Sequence, residues 1–145
     1  VCNLLNIFES ISILLKDDLI ENKIKLDIIC SKDIELKINQ NELKHIFISL
    51  ISNSKDAFNI NKTENRLITI EIMKNDQSVS IIYQDNGGGI PEDIIDKIFD
   101  FNVSTKKEQG GTGIGLYMVK MIVDKYNGKV DVKNTDHGSC FRLSF

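Results

Sequence analysis

The stretch QDNGGGIP, residues 84–91, decides how the chain is read. Directly before it, VSIIY (79–83) alternates apolar and polar side chains as a half-buried strand does. The strand then ends in a carboxylate, three consecutive glycines and the chain's single proline. Glycine lets a backbone turn tightly and be approached closely by another molecule. An ionised aspartate accepts hydrogen bonds and donates none, so Asp85 at the mouth of a pocket would select a ligand with an N–H donor. The exocyclic amino group of adenine is such a donor, whereas guanine presents an acceptor at that position. Taken alone, DxGxG also fits a glycine-rich β-to-α turn carrying a solvated aspartate.

Working outward, residues 3–19 place Leu4, Phe8, Ile11 and Leu15 on one helical stripe. Segments 23–29 and 33–38 alternate with period two and predict a hairpin of half-buried strands. Asn39, with Glu42 three residues on, predicts a capping-box start to a helix carrying Leu43, Ile46, Phe47, Leu50, Ile51, Ser54 and Phe58 at helical spacing. Strands follow at 66–73 and 78–84, then a short helix at 91–99 opened by the proline. Residues 100–112 show no periodicity and read as a mobile loop. A helix over 113–126 and strands at 129–134 and 139–145 complete the chain. The pattern predicts one domain over residues 1–145 in the α+β class. It is a two-layer α/β sandwich, with a mixed, mostly antiparallel sheet covered by helices on one face.

Composition narrows the function classes. With 145 residues, 41% hydrophobic and 27% charged, the chain is of globular type. A net charge of −3 offers no basic face for nucleic acid. No apolar run reaches the roughly 20 residues needed to span a bilayer, and no direct membrane contact is expected. Cys2, Cys30 and Cys140 are odd in number and far apart, which predicts reduced thiols in a cytoplasmic setting rather than a disulfide frame or zinc site.

Two further segments carry chemistry. In GGTGIGLYMVK (110–120), Gly111, Gly113 and Gly115 precede or open a helix whose first-turn N–H groups and dipole suit phosphate. The segment is neither a Walker A loop nor a dinucleotide fingerprint, and alone it also fits a loop running into a packed helix. In HIFISLISNSKDAF (45–58), Asn53 falls with the apolar stripe, so its amide points to the interior or a pocket. It is there either for a structural hydrogen bond or as a neutral oxygen ligand for Mg2+.

Together these segments resemble the ATP-binding (Bergerat) fold shared by sensor histidine kinases, type II topoisomerases, mismatch-repair ATPases and heat-shock chaperones. The resemblance is greatest to the catalytic ATP-binding domain of bacterial sensor histidine kinases and covers essentially the whole chain. SLISNSKDAF resembles the family's N box, DNGGGIP its G1 box, IFDFNVSTK its F box and GGTGIGL its G2 box. The resemblance implies that Asp85 holds the adenine amino group, with Gly87 and Gly89 making room for the base. It implies Asn53 as the Mg2+ ligand, and phosphate contacts from Gly111, Gly113 and Gly115. Residues 100–110 become the ATP lid, with Lys106 as its phosphate ligand and Lys55 and Lys107 as further candidates. Phe99 anchors the lid, Ser139 touches the base through water, and Ile90, Thr105, Thr112, Ile114 and Leu116 line the nucleotide.

The implied activity is transfer of the γ-phosphoryl group of Mg-ATP to a histidine, with Asn53 and Lys106 as the catalytic pair. The acceptor would lie on a dimerisation domain of the same full-length, homodimeric protein, and a response regulator would take the phosphoryl group next. The chain is then the cytoplasmic ATP-binding part of a longer sensor, membrane-anchored or not. Neither His45 nor His137 lies in a phosphoacceptor motif. Two positions depart from the family. Ser49 stands where the first N-box asparagine is usual and where related hydrolases carry a glutamate base, so hydrolysis is disfavoured. The F box carries Phe101 in place of a common proline, which loosens lid anchoring. An anti-sigma-factor-type serine kinase and a degenerate nucleotide-binding module remain as alternatives.

Overall fold

The computed structural model describes residues 1–30, 33–100 and 115–145. In chain order the elements are β1 (Cys2–Asn3), α1 (Leu4–Leu14), α2 (Lys16–Glu21), β2 (Ile24–Cys30), β3 (Glu35–Leu36) and α3 (Gln40–Ile60). They continue with β4 (Arg66–Lys74), β5 (Val79–Asp85), a 3-10 turn (Ile95–Lys97), α4 (Gly115–Lys125), β6 (Lys129–Asn134) and β7 (Ser139–Ser144).

Alternating side chains build the sheet. Ile68, Ile70 and Ile72 of β4 are buried on the same face as Val79, Ile81 and Tyr83 of β5. The antiparallel register sets Ile70 opposite Tyr83 and Ile72 opposite Ile81. β7 continues this surface with Phe141 opposite Tyr83 and Leu143 opposite Ile81, and β6 pairs with β7 at the edge. At the other edge β2 runs parallel to β4. The sheet order is β2-β4-β5-β7-β6, the mixed and mostly antiparallel arrangement that alternation predicts.

Helix α3 lies across this apolar face and buries the seven residues that the helical spacing selects, from Leu43 to Phe58. Five aromatic rings run in file through the interior. Phe8 of α1 meets Phe47 of α3 edge-on at 4.8 Å, Phe47 lies 6.5 Å from Tyr83, and Phe141 stands 6.2 Å from both Tyr83 and Phe99. Such pairs add about 0.5–1.5 kcal/mol each beyond the area they bury.

Three local expectations are corrected. Segments 23–29 and 33–38 do not form a hairpin: β2 pairs parallel with β4 over seven residues, and β3 pairs with β1. Period two marks which face of a strand is buried but not its partner, and β2 gains a long apolar neighbour by crossing over through α3. The helix expected over 3–19 is divided at Leu15, which leaves helical geometry with φ −98°. In place of the helix at 91–99 stands the short 3-10 turn. Nine residues are too few for a helix without strong packing, and the adjacent β-branched Ile94 and Ile95 weaken it further.

The start of α3 departs from a simple capping box. The Asn39 side chain accepts from the N–H groups of Asn41 and Glu42 at 2.9 and 3.2 Å. Glu42, however, does not reach back to the Asn39 backbone. The hydroxyl of Tyr126, just past α4, sits between them, accepting from the Asn39 N–H at 3.1 Å and donating to Glu42 at 2.6 Å. Lys125 adds an ion pair to Glu42 at 2.9 Å. This cluster ties the end of α4 to the beginning of α3.

The hydrogen bonds from Tyr126 and then Lys125 hold the Glu42 carboxyl below its ordinary value of 4.5. Glu42 correspondingly raises Lys125 above 10.5. A carboxyl lowered on folding binds its proton better in the unfolded chain. Its stabilisation is therefore present above about pH 4.5 and lost as pH falls through the lowered folded value. Glu42→Gln should unfold at a lower temperature than the wild type at neutral pH, with the gap closing in acid. Thermal melts between about pH 7 and pH 3 test this, and a gap independent of pH would contradict it.

Candidate functional site

The inward row of β5 ends on a polar residue. Asp85 follows Tyr83 on the helix-covered face and stands opposite Ile68 of β4. Ser54 is the polar member of the α3 stripe, four residues from Leu50 and from Phe58, so the helix that packs on the sheet delivers a hydroxyl to this carboxylate. Ser54, only 2% exposed, donates from Oγ to Asp85 Oδ2 at 2.5 Å. The Gly87 N–H donates to Oδ1 at 3.0 Å, and Ser139 Oγ lies 3.4 Å from Oδ2. Tyr83 completes the cluster, its hydroxyl 2.5 Å from Ser54 Oγ and 3.0 Å from the Leu50 carbonyl oxygen. Burial, reinforced by the nearby Asp85 charge, pushes the Tyr83 phenol well above 10 against the opposing Ser54 hydrogen bond. It is therefore a neutral donor.

Three asparagines hold the glycine-rich loop, two from neighbouring elements and one from the loop itself. Asn61, capping α3, donates to the Gly87 carbonyl at 2.6 Å. Asn86 accepts from the Leu67 N–H and donates to the Asn65 carbonyl, both at 2.9 Å. Asn134, closing β6, grips Ile90 from both sides, accepting its N–H and donating to its carbonyl at 2.8 Å each. Gly88 and Gly89 have φ of 98° and 83°, a region that side chains disfavour. The glycines expected to make room for a ligand are required by the protein itself. A Cβ on Gly87 would meet Ala57 of α3 at 3.2 Å, and one on Gly89 would meet Asn134 at 2.9 Å.

The structure brings Asp85, Gly87, Gly89, Ile90 and Ser139 together at one end of the sheet. Asn53 sits on α3 next to Ser54, half-buried, and makes no side-chain hydrogen bond among the described residues. Gly115 and Leu116 open the described part of α4. Two candidates have partners within the fold: Lys55 pairs with Asp18 of α2 at 3.1 Å, and the partly buried Phe99 packs edge-on against Phe141. Ser49 faces a surface groove lined also by Leu14, Lys44, His45 and Ile48. Thr105, Lys106, Lys107, Gly111, Thr112, Gly113 and Ile114 lie outside the described residues.

Sequence reasoning missed Ser54 as a partner of Asp85, although a lone serine in an apolar stripe was a signal. It also missed Tyr83, Asn61 and Asn134, for which pattern gave no cue. The largest omission is Gly138, in the turn between β6 and β7. A Cβ there would fall 2.0 Å from the Asp85 carbonyl oxygen and 2.8 Å from its Oδ1.

The fold is thus a two-layer α/β domain with a braced carboxylate at a central strand end, beside a glycine-rich loop. Comparison with known proteins gives the family. Residues 38–145 match the model of the histidine kinase-, DNA gyrase B- and HSP90-like ATPase family. Sporulation kinase A of Bacillus subtilis is 31% identical over 99% of this chain, and the match covers 23% of that protein. A probable C4-dicarboxylate sensor kinase of the same organism is 32% identical over 74% of the chain and 20% of its own length. Among solved structures, the catalytic domain of histidine kinase ThkA superposes with a TM-score of 0.87 at 23% identity, over 99% of this chain and 92% of that one. A ThkA complex with the response regulator protein TrrA matches at TM-score 0.77 and 22% identity, over 99% and 40%. The chain belongs to the histidine kinase-, gyrase- and HSP90-like ATPase family, and it spans about a fifth of the length of these curated relatives.

Because Asp85 is paired with Ile68 of β4, its carbonyl cannot move without disturbing the end of the β4–β5 ladder, and Gly138→Ala should destabilise the fold by about 1–3 kcal/mol, the usual range for overpacking. Urea unfolding measures it. An unchanged midpoint would show that the turn yields freely.

Proposed function

We propose that this chain binds Mg-ATP and presents its γ-phosphoryl group to a histidine on a separate dimerisation domain of the full-length protein. A response regulator would receive the phosphoryl group next. The observation that carries this reading is the Asp85 carboxylate, fixed by Ser54 and Gly87 at a strand end. Three of its four or so lone-pair sites have donors, which leaves room for one N–H such as the adenine amino group. The asparagine-held loop at 86–90 would form the wall beside the base. The Asn53 amide would hold Mg2+ against the phosphates, where the ion would neutralise charge during transfer. Lys106 and the glycines at 111, 113 and 115 are proposed as phosphate contacts on the resemblance to the family's boxes.

Phosphoryl transfer of this type depends on positioning and charge neutralisation more than on covalent chemistry by the protein. Its own residues would bind, orient and exclude the wrong base. Sporulation kinase A and the sensor kinase relatives support a place in two-component signalling, and the ThkA–TrrA complex supports a regulator as partner. The full-length protein is proposed to be a homodimer with this part in the cytoplasm. Among the described residues no helix is long and apolar enough to cross a membrane.

Calorimetric titration with ADP, ATP and GTP, with and without Mg2+, tests the reading. Adenine nucleotides should bind, GTP should not, and Asn53→Ala should abolish the Mg2+ dependence. Asp85→Asn should weaken ATP binding by about 1.5–3 kcal/mol, the scale of a hydrogen bond to a charged group. Unaltered affinity in the Asp85 variant would remove that residue from the site.

A further inference from the structure

The two edges of the sheet are finished differently. β6 carries a charge at every second position, Lys129, Asp131 and Lys133, in a strand of six residues, the usual guard against pairing with another chain. β2 has seven residues, of which only Lys25 and Asp27 are charged, and its register with β4 runs unbroken from Ile24 to Cys30. Among the described residues, Ile24 to Ile29 make backbone hydrogen bonds to β4 alone, so the outer row of N–H and C=O groups is open. The side chains show the same opening. Leu26 and Ile28 face the core but stay half-buried, whereas Ile68 and Ile70 beside them on β4 are fully buried. Helix α2 packs on β2. Asp18 of this helix turns toward α3, where it pairs with Lys55, and Leu19 is buried beneath. At about 100° per residue, Ile20 therefore points away from α3, past the end of the sheet, and it is 64% exposed.

We propose that β2 is a self-association edge, on which a second copy of this chain adds its own β2 antiparallel, with Leu26 opposite Leu26. Charge selects both the partner and the register. With Leu26 at the two-fold axis, Lys25 lies opposite Asp27 of the second copy on the solvent face, twice by symmetry. On the core face Ile24 lies opposite Ile28. A register centred on Asp27 would set the two aspartates against each other, and one centred on Ile28 would set Asp27 opposite Ile29. Pairing about Leu26 is thus the one that matches the charges. Within one copy Lys25 Nζ stands 3.9 Å from Asp27 Oδ2, with the side chains 74% and 45% exposed, so both charges are accessible to the second copy. The contact joins two five-stranded sheets edge to edge. Its axis runs perpendicular to the sheet, which keeps both helical layers on one side and brings the two Ile20 side chains toward each other over the seam. The contact is separate from the dimerisation domain proposed above and does not use the nucleotide site.

Sedimentation equilibrium of this chain over a concentration series into the high micromolar range tests the dimer. The wild type should dimerise. Asp27→Lys sets lysine opposite Lys25 of the second copy at both symmetric positions and should weaken association about thirtyfold. Lys25→Asp should do the same with carboxylates. The double variant, Lys25→Asp with Asp27→Lys, restores opposite charges in the Leu26 register and should dimerise within about threefold of the wild type. Amide hydrogen exchange should slow in β2 as concentration rises, and not in β6. Should the charge variants fail to fold, Ile20→Ser decides: exposed in the single copy, it should leave the monomer intact and weaken the dimer about tenfold. A wild type that stays monomeric, a dimer indifferent to Asp27→Lys, or one that the double variant fails to restore would overturn the proposal. So would an extended segment of another protein captured along β2 of a monomeric chain, which would assign the edge to a different partner.

Discussion

A carboxylate placed at the end of an apolar row must be compensated, and the way Asp85 is compensated organises the surrounding structure. β5 is the middle strand of the sheet, so its inward row is covered by α3 and flanked by β4 and β7. A carboxylate left there without donors would be expensive, because burying a charge without hydrogen bonds disfavours folding by several kcal/mol. The donors come from three elements: Ser54 from α3, Ser139 from β7 and the Gly87 N–H from the following loop. The position of α3 on the sheet, the register of β7 and the path of the loop are therefore tied to one side chain.

Gly138 shows the same dependence from the backbone side. The turn between β6 and β7 lies so close to the Asp85 carbonyl that no side chain fits. From the same turn the His137 carbonyl accepts the Gly88 N–H at 3.2 Å, while Asn134 clamps Ile90. The hairpin at the C-terminal end is thus a template against which the glycine-rich loop is moulded. Each of the three glycines at 87–89 answers a different neighbour within the fold: Gly87 meets Ala57 of α3, Gly88 meets Asn61, and Gly89 meets Asn134 of the hairpin.

Much of this was legible in advance, for identifiable reasons. The seven buried residues of α3 and the inward rows of β4, β5 and β7 follow from periodicity, because burial on one face leaves a regular trace. Asp85 and the loop stood out because glycine, proline and a terminal carboxylate are out of place in a strand. Partners are a different matter. The parallel pairing of β2 with β4 joins residues about 42 positions apart, as in Ile24 with Arg66, and nothing in a period of two encodes that choice. Nor does the local pattern around Tyr126 say that its hydroxyl will complete a helix start 87 residues earlier. Ser54 lay between these cases, its burial foreseen and its partner not.

Ser49 bears on how such a site would be used. It stands one helical turn before Asn53, where a glutamate in related hydrolases deprotonates the attacking water. Water is a weak nucleophile until a base removes its proton, and a serine hydroxyl is not that base at neutral pH. An unprotonated imidazole nitrogen attacks with a lone pair it already has, so a histidine acceptor needs no base on the nucleotide-binding side. On the reading proposed, the absence of a carboxylate at position 49 is then more than a lost function. It allows ATP to be held without being spent on water, until an acceptor on another domain supplies the nucleophile. On the same reading, adenine recognition by a braced aspartate and the lack of a carboxylate at position 49 would be complementary halves of one donor site.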